Sequence, residues 1–132
     1  MTRFVIGPDV ALRIVTDGVA IAAEHQLLAP TLLRSQVLAM LYRDVAGGVL
    51  SRAEAGRRLD HVRRLKLRLL GDRVLQEHAL RIAEELKLPD TFEAEYLALT
   101  HLQADAFVTL DPAWARAARK VVAVARFEDL LA

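Results

Sequence analysis

PDTFEAEYLALTHLQADAFVTLD, from Pro89 to Asp111, carries the strongest structural signal in the chain. It reads as a turn, a buried helix and a buried strand, with a carboxylate near its beginning and another at its end. Between Thr91 and Leu102 the apolar residues Phe92, Ala94, Tyr96, Leu97, Ala98, Leu99 and Leu102 surround the helix almost completely, which leaves little of it for water. Glu93 shares a helical face with Tyr96, Leu97 and Thr100 and is therefore a candidate inward-pointing acid. Asp105 and Ala106 lead into Phe107-Val108-Thr109-Leu110, a run of strand formers that stops at Asp111-Pro112, where a new helix can start. Asp111 thus belongs at the carboxyl end of a strand, the edge at which open α/β sheets bind ligands. Two acids converging there suit a metal site. Each also has a purely structural reading: Asp90-Thr91-Phe92-Glu93 fits a capping box, and Asp111 before Pro112 fits an N-cap.

Working outward, Arg3-Phe4-Val5-Ile6 reads as a short buried strand ended by Gly7-Pro8, since proline donates no ladder hydrogen bond and restricts the residue before it. Asp9 is placed to cap a helix through about Thr16, and Asp17-Gly18 is a turn signal. Ile21 to His25 suggests a short helical piece, Leu27-Leu28-Ala29 a second strand, and Pro30-Thr31 the opening of another helix. In that helix Leu33, Val37, Met40 and Leu41 form one apolar stripe, and Gln36 falls within it. A polar group there needs partners, either inside the core or at a site.

Gly47-Gly48 ends this helix, and Ser51-Arg52-Ala53-Glu54 is a capping box for the next. Leu65 to Leu70 alternates apolar and basic residues as a short extended segment does. Gly71-Asp72 begins a helix carrying Val74, Leu75, Ala79, Ile82 and Leu86, which Leu88-Pro89 stops. Beyond Asp111, Pro112 to Arg119 is helical, Val121 to Val124 reads as a buried strand, and Phe127 to Ala132 as a short helix or tail. Strand runs without strict alternation, separated by helical segments, predict an α/β domain over 1–132 with a mainly parallel sheet covered on both faces.

The chain has 54% hydrophobic residues and a net charge of +1, so it exerts no general electrostatic pull on nucleic acid. From Arg52 to Arg73, however, eight basic residues stand against three acids. Arg57, Arg58, Arg63 and Arg64 make a basic surface that is either a solvated helix face or a set of phosphate contacts. No apolar run reaches the roughly 18 residues that span a bilayer, and Arg3 and Asp9 interrupt a signal-peptide reading. The absence of cysteine excludes disulfides, thiolate catalysis and Cys-ligated zinc, agrees with a reducing compartment and leads to an expected cytoplasmic location. His25, His61, His78 and His101 lie far apart without paired-ligand spacing and read as ordinary surface or packed histidines.

Four stretches together resemble the PIN-domain family, of the kind found in toxin ribonucleases of VapBC-type toxin–antitoxin pairs. Val5-Ile6-Gly7-Pro8-Asp9-Val10-Ala11-Leu12 matches its strand ending in Asp, followed by a small residue and then Ser, Thr or Asp before an apolar helix. Pro30-Thr31-Leu32-Leu33-Arg34-Ser35-Gln36-Val37 matches the motif Pro, apolar positions, then Glu-Val in a helix. Phe92-Glu93-Ala94-Glu95-Tyr96-Leu97-Ala98-Leu99 is similar to Tyr-Asp-Ala-x-Tyr-Leu-Ala-Leu, and Val108-Thr109-Leu110-Asp111 to a strand ending Val-Thr-x-Asp. Order and spacing agree across nearly the whole chain. The resemblance implies a three-layer fold with four or five short strands, and an acidic pocket in which Mg²⁺ or Mn²⁺ activates water against an RNA phosphodiester.

Three of the family's four acidic positions differ here: the first Asp is Gly7, the Glu is Gln36 and the third acid is Glu93, while Asp111 is unchanged. Asp9, two residues beyond Gly7, is the expected replacement for the missing Asp or else a helix cap. On this reading Asp9, Glu93 and Asp111 are the catalytic and metal-ligating acids, and Gln36 and Thr109 are supporting hydrogen-bonders. Arg57, Arg58 and Arg116 are candidates for holding RNA. Two functions are expected of such a chain: a weak or inactive Mg²⁺-dependent endoribonuclease, or a PIN domain that binds protein or RNA without cutting. The resemblance further implies an antitoxin-like partner and a homodimer, with no membrane association.

Overall fold

A computed structural model describes all residues, 1–132. Four strands form one sheet: β1 (Arg3–Ile6), β2 (Gln26–Pro30), β3 (Leu67–Leu70) and β4 (Ala106–Val108). Their order is β3-β2-β1-β4, and every neighbouring pair is parallel. The helices are α1 (Pro8–Asp17), α2 (Leu33–Ala46), α3 (Arg52–Arg64), α4 (Arg73–Leu86), α5 (Phe92–Gln103) and α6 (Pro112–Ala118), with a final 3₁₀ turn at Phe127–Leu130.

Successive side chains of a strand point to opposite faces, so the burial of Phe4, Val5 and Ile6 in a row means that both faces of β1 are covered. The helices fall into two packed groups, one of α1, α2 and α3, the other of α4 and α5, with α5 lying against β1, β2 and β4. The expected three-layer α/β architecture is therefore present. α5 sits in the core as its near-continuous apolar surface predicts, with Ala94, Tyr96, Leu97, Ala98, Leu99 and Thr100 all buried; Phe92 and Leu102 at its ends remain partly exposed. No helix is long and apolar enough to cross a membrane.

Two expected elements are replaced by tertiary pairing. Ile21 to His25 is not helical: Ile21 bridges antiparallel to Leu131, and the Ala22 N–H donates to the Leu130 carbonyl at 3.0 Å. A five-residue helix offers too few internal hydrogen bonds to compete with such partners. Val121 to Val124 is likewise no full strand, because the N–H groups of Val121 and Val122 turn back to the Ala118 carbonyl at 3.0 and 2.9 Å. Only the end of the segment reaches the sheet, as a single parallel bridge between Phe107 and Val124 beside β4.

The chain lays down β1, β2 and β3 in one direction and then crosses back to place β4 on the other side of β1. The crevice beyond the carboxyl ends of β1 and β4 is thus the switch point of the sheet, where α/β folds have room for a ligand because the two connections leave in opposite directions. Ile6 is in register with Val108, and the Gly7 N–H donates to the Val108 carbonyl at 3.0 Å, so Gly7–Asp9 and Thr109–Asp111 emerge side by side.

Candidate functional site

Helix α1 begins two residues earlier than the sequence suggests. Gly7 occupies the N-cap position without a side-chain cap, and Pro8 takes the first turn, where its missing N–H costs nothing. Asp9 is therefore not the cap; its half-buried side chain is free to turn towards β4. One carboxylate oxygen accepts the Val10 N–H at 2.8 Å, and the other accepts the Thr109 hydroxyl at 2.9 Å and the Leu110 N–H at 2.8 Å. Thr109 also accepts the Asp111 N–H on its hydroxyl oxygen at 3.2 Å. Asp9 thus ties the start of α1 to the loop after β4.

The side chain that Gly7 lacks would collide with this arrangement. A Cβ at position 7 would lie 2.5 Å from Asp9 Oδ1 and 3.3 Å from the ring of Trp114. Asp9 has folded its carboxylate back over Gly7, into the space from which a residue-7 side chain would have to emerge. Asp9, expected as the replacement for an acid at position 7, thus has both oxygens serving as hydrogen-bond acceptors.

Asp111 is the N-cap of α6: one oxygen accepts the Ala113 N–H at 2.9 Å and the Trp114 N–H at 3.4 Å. Strand β4 ends at Val108, so Thr109 and Leu110 belong to the loop rather than the strand. Glu93 is not inward-pointing but lies exposed on the first turn of α5. It forms no capping box either: the N-cap is Thr91, without a side-chain cap, and the Asp90 carboxylate accepts the Phe92 N–H at 3.0 Å instead of that of Glu93. Partial burial, then Asp111, then Asp90 hold the Glu93 pKa above the ordinary carboxylate value. The charge of Asp111 is thus one of those that disfavour the ionised form of Glu93.

Gln36 stands at the inner side of the corner. Its Oε1 accepts a 2.6 Å hydrogen bond from the phenol of Tyr96, a fully buried residue, which satisfies the polar group found in the apolar stripe of α2. Burial above all, then the charges of Asp9 and Glu95, push the Tyr96 pKa up, so this phenol stays protonated and donates. Trp114 packs edge-on against Tyr96, with ring centres 5.2 Å apart, and also against Phe107. Tyr96 and Trp114 are the site residues that sequence reasoning missed. Tyr96 had read as core, and the only sign of Trp114 was its position directly after Asp-Pro-Ala.

The arginines divide. Arg57 and Arg58 are both committed to Glu54 on their own helix, at 2.7 and 3.4 Å, and Arg63 to Asp60 at 2.7 Å. Helix α3 packs on α1 and α2. Arg116 lies exposed on α6, whose N-terminus Asp111 caps, and it makes no ion pair.

A hard divalent ion needs several oxygens converging at about 2.0–2.6 Å. Asp9, Glu93 and Asp111 do not form such a set: no three carboxylate or imidazole side chains are grouped to hold one ion. Asp9 has both oxygens engaged, Asp111 one, and Gln36 its only oxygen. The side chains as they stand do not fit the Mg²⁺ or Mn²⁺ that the resemblance implies.

No protein-family model matches the chain, and no curated protein does. Solved structures do match. The structure of PAE2754 from Pyrobaculum aerophilum superposes with a TM-score of 0.77 over 98% of this chain and 92% of that one, at 19% identity. That of VapBC2 from Rickettsia felis, bound to a DNA fragment from its promoter, gives 0.69 over 94% and 98%, at 7% identity. Identities this low carry the architecture and nothing finer. Together with the parallel β3-β2-β1-β4 sheet and its two helical layers, they show that this chain has a PIN-like α/β fold.

Proposed function

We propose that this is a PIN-type protein of the toxin-ribonuclease kind whose acidic corner has collapsed into a structural tie, so that metal-dependent RNA cleavage is far weaker than an intact acidic set would allow. The observation that carries this reading is the Asp9 carboxylate, which lies over Gly7 with both oxygens accepting hydrogen bonds from the chain. An ion recruited by Asp9 would compete with the Val10 and Leu110 N–H groups and the Thr109 hydroxyl. In this half-exposed setting each such bond is worth about 1–1.5 kcal/mol, so together these contacts oppose metal binding. The neutral Gln36 adds no attraction in return. Arg116 is the cation best placed to meet an RNA phosphate near the corner.

The test is a calorimetric Mn²⁺ titration with a parallel RNA-cleavage assay. Wild type should bind Mn²⁺ weakly and cleave little. Gly7→Asp with Asp9→Ser and Gln36→Glu vacates the space over residue 7 and supplies two carboxylates facing Glu93 and Asp111; it should bind more tightly and cleave faster, and Asp111→Ala should cancel the gain. Tight Mn²⁺ binding by wild type, lost in Asp111→Ala together with substantial cleavage, would show a working metal nuclease and remove this reading.

What such a protein retains is binding. An apolar groove of about 460 Å³ runs between α2, α3 and β3, lined among others by Leu38, Leu59, Leu65, Leu67 and Leu69 and edged by Arg34 and Arg63. It suits the apolar face of an antitoxin-like segment, whose affinity should then vary little with salt. Exposed Tyr42, Val74 and Leu80 supply apolar surface for the homodimer also proposed, which sedimentation at micromolar concentration tests.

A further inference from the structure

The two histidines that the sequence separates most uninformatively are brought together by the fold. His78 on α4 and His101 on α5 face each other with Nε2 and Nδ1 2.8 Å apart. The rings lie within 4° of parallel, with centres 4.7 Å apart. A nitrogen separation that short shows that the ring edges meet, with a single proton between the two nitrogens and one lone pair accepting it.

We propose that His78 and His101 form a two-imidazole clamp for a borderline divalent ion such as Zn²⁺, Ni²⁺ or Cu²⁺, spanning α4 and α5 and separate from the acidic corner. Two imidazole nitrogens on a tetrahedral zinc, each at about 2.0–2.1 Å, lie about 3.3 Å apart, so the pair need open by about half an ångström while the donating ring moves its proton to its other nitrogen, which leaves a lone pair on each of the two facing nitrogens. The rings are near-parallel, so they must turn about their Cβ–Cγ bonds to bring both in-plane lone pairs onto one ion. His78 is half-buried and His101 exposed, so an ion can arrive from solvent and keep water as its remaining ligands. Imidazole selects these metals over Mg²⁺ and Ca²⁺, which prefer oxygen. Arg81 is the charged neighbour that opposes the ion, since its charge acts on His78. With two protein ligands and that opposition, binding is weaker than at a zinc site with three or four protein ligands. An ion held here locks α4 to α5, the helix that carries Glu93 and Tyr96.

The experiment uses the full chain without a histidine tag. Zn²⁺ and Ni²⁺ are titrated calorimetrically into wild type, His78→Ala, His101→Ala, His61→Ala and Asp111→Ala, and thermal melts are recorded with and without metal. Wild type should bind one equivalent and melt higher with metal. Either His78→Ala or His101→Ala should weaken binding by about tenfold or more, while His61→Ala and Asp111→Ala leave it unchanged. Binding should fade as pH drops through the range in which imidazole protonates. His78→Gln and His101→Gln repeat the measurement should an alanine variant melt below wild type without metal. No saturable binding, or binding that survives loss of both rings, overturns the proposal. So does binding removed by Asp111→Ala, which would place the ion in the acidic corner.

Discussion

Adding one methyl group at Gly7 should displace the Asp9 carboxylate. The Gly7 backbone, at φ −73° and ψ 166°, is extended and open to any residue, so Gly7→Ala meets no backbone strain. Its cost comes from the 2.5 Å approach of the new Cβ to Asp9 Oδ1, too close for both to stay. Moving the carboxylate gives up the bonds from Val10 N–H, Thr109 hydroxyl and Leu110 N–H. The first is local and readily replaced by water. The other two join α1 to the loop after β4, and at about 1–1.5 kcal/mol each in a half-exposed setting they amount to roughly 2–3 kcal/mol. Asp9→Ala should cost a similar amount. In the Asp9→Ala background the clash is gone, and Gly7→Ala should then be neutral or stabilise by about 0.5 kcal/mol through the unfolded chain, less a small cost for the contact with Trp114. The double-mutant cycle should therefore show a coupling of about 2–3 kcal/mol. Urea unfolding followed by the fluorescence of Trp114, the single tryptophan, measures it directly. Costs that add within about 0.5 kcal/mol would refute the idea that Asp9 occupies the space over Gly7.

Two further outcomes follow from the same corner. Glu93 has a pKa raised on folding, so the folded protein holds that proton more tightly than the unfolded chain, and the resulting penalty sets in as pH rises from the ordinary carboxylate value through the raised one. Glu93→Gln should consequently raise the melting temperature at pH 7 and make no difference well below pH 4.5, the unshifted value; an equal effect at both pH values would contradict this. Tyr96→Phe removes the 2.6 Å bond to Gln36 and should cost about 1–1.5 kcal/mol in urea unfolding, while Gln36→Leu in the Tyr96→Phe background should recover part of it, since neither polar partner then remains.

Residues whose role depends on their own neighbours in the chain were legible in advance. The apolar run Tyr96 to Leu99 demanded a buried helix, Pro112 after Asp111 marked a helix start, and Ser51 and Asp72 do cap α3 and α4 as their positions suggest. The same local patterns were enough to place β1, β2 and β4 in a parallel sheet, because strands without alternation need cover on both faces. The acids read differently, because a carboxylate has no intrinsic preference between capping, ligating a metal and bridging two loops. Its neighbours in space decide. Asp9 read equally as cap or ligand until the register of Ile6 with Val108 brought Thr109 and Leu110 beside it. The hydrogen bond of Gln36 to Tyr96 and that of His78 to His101 join residues 60 and 23 positions apart, separations that no local pattern records. Helix and strand periodicity come from the covalent geometry of the backbone and so are written along the sequence. Convergence of side chains is set by how the sheet orders its strands and how the helices pack on it, and only the tertiary structure determined which acids remain free to act.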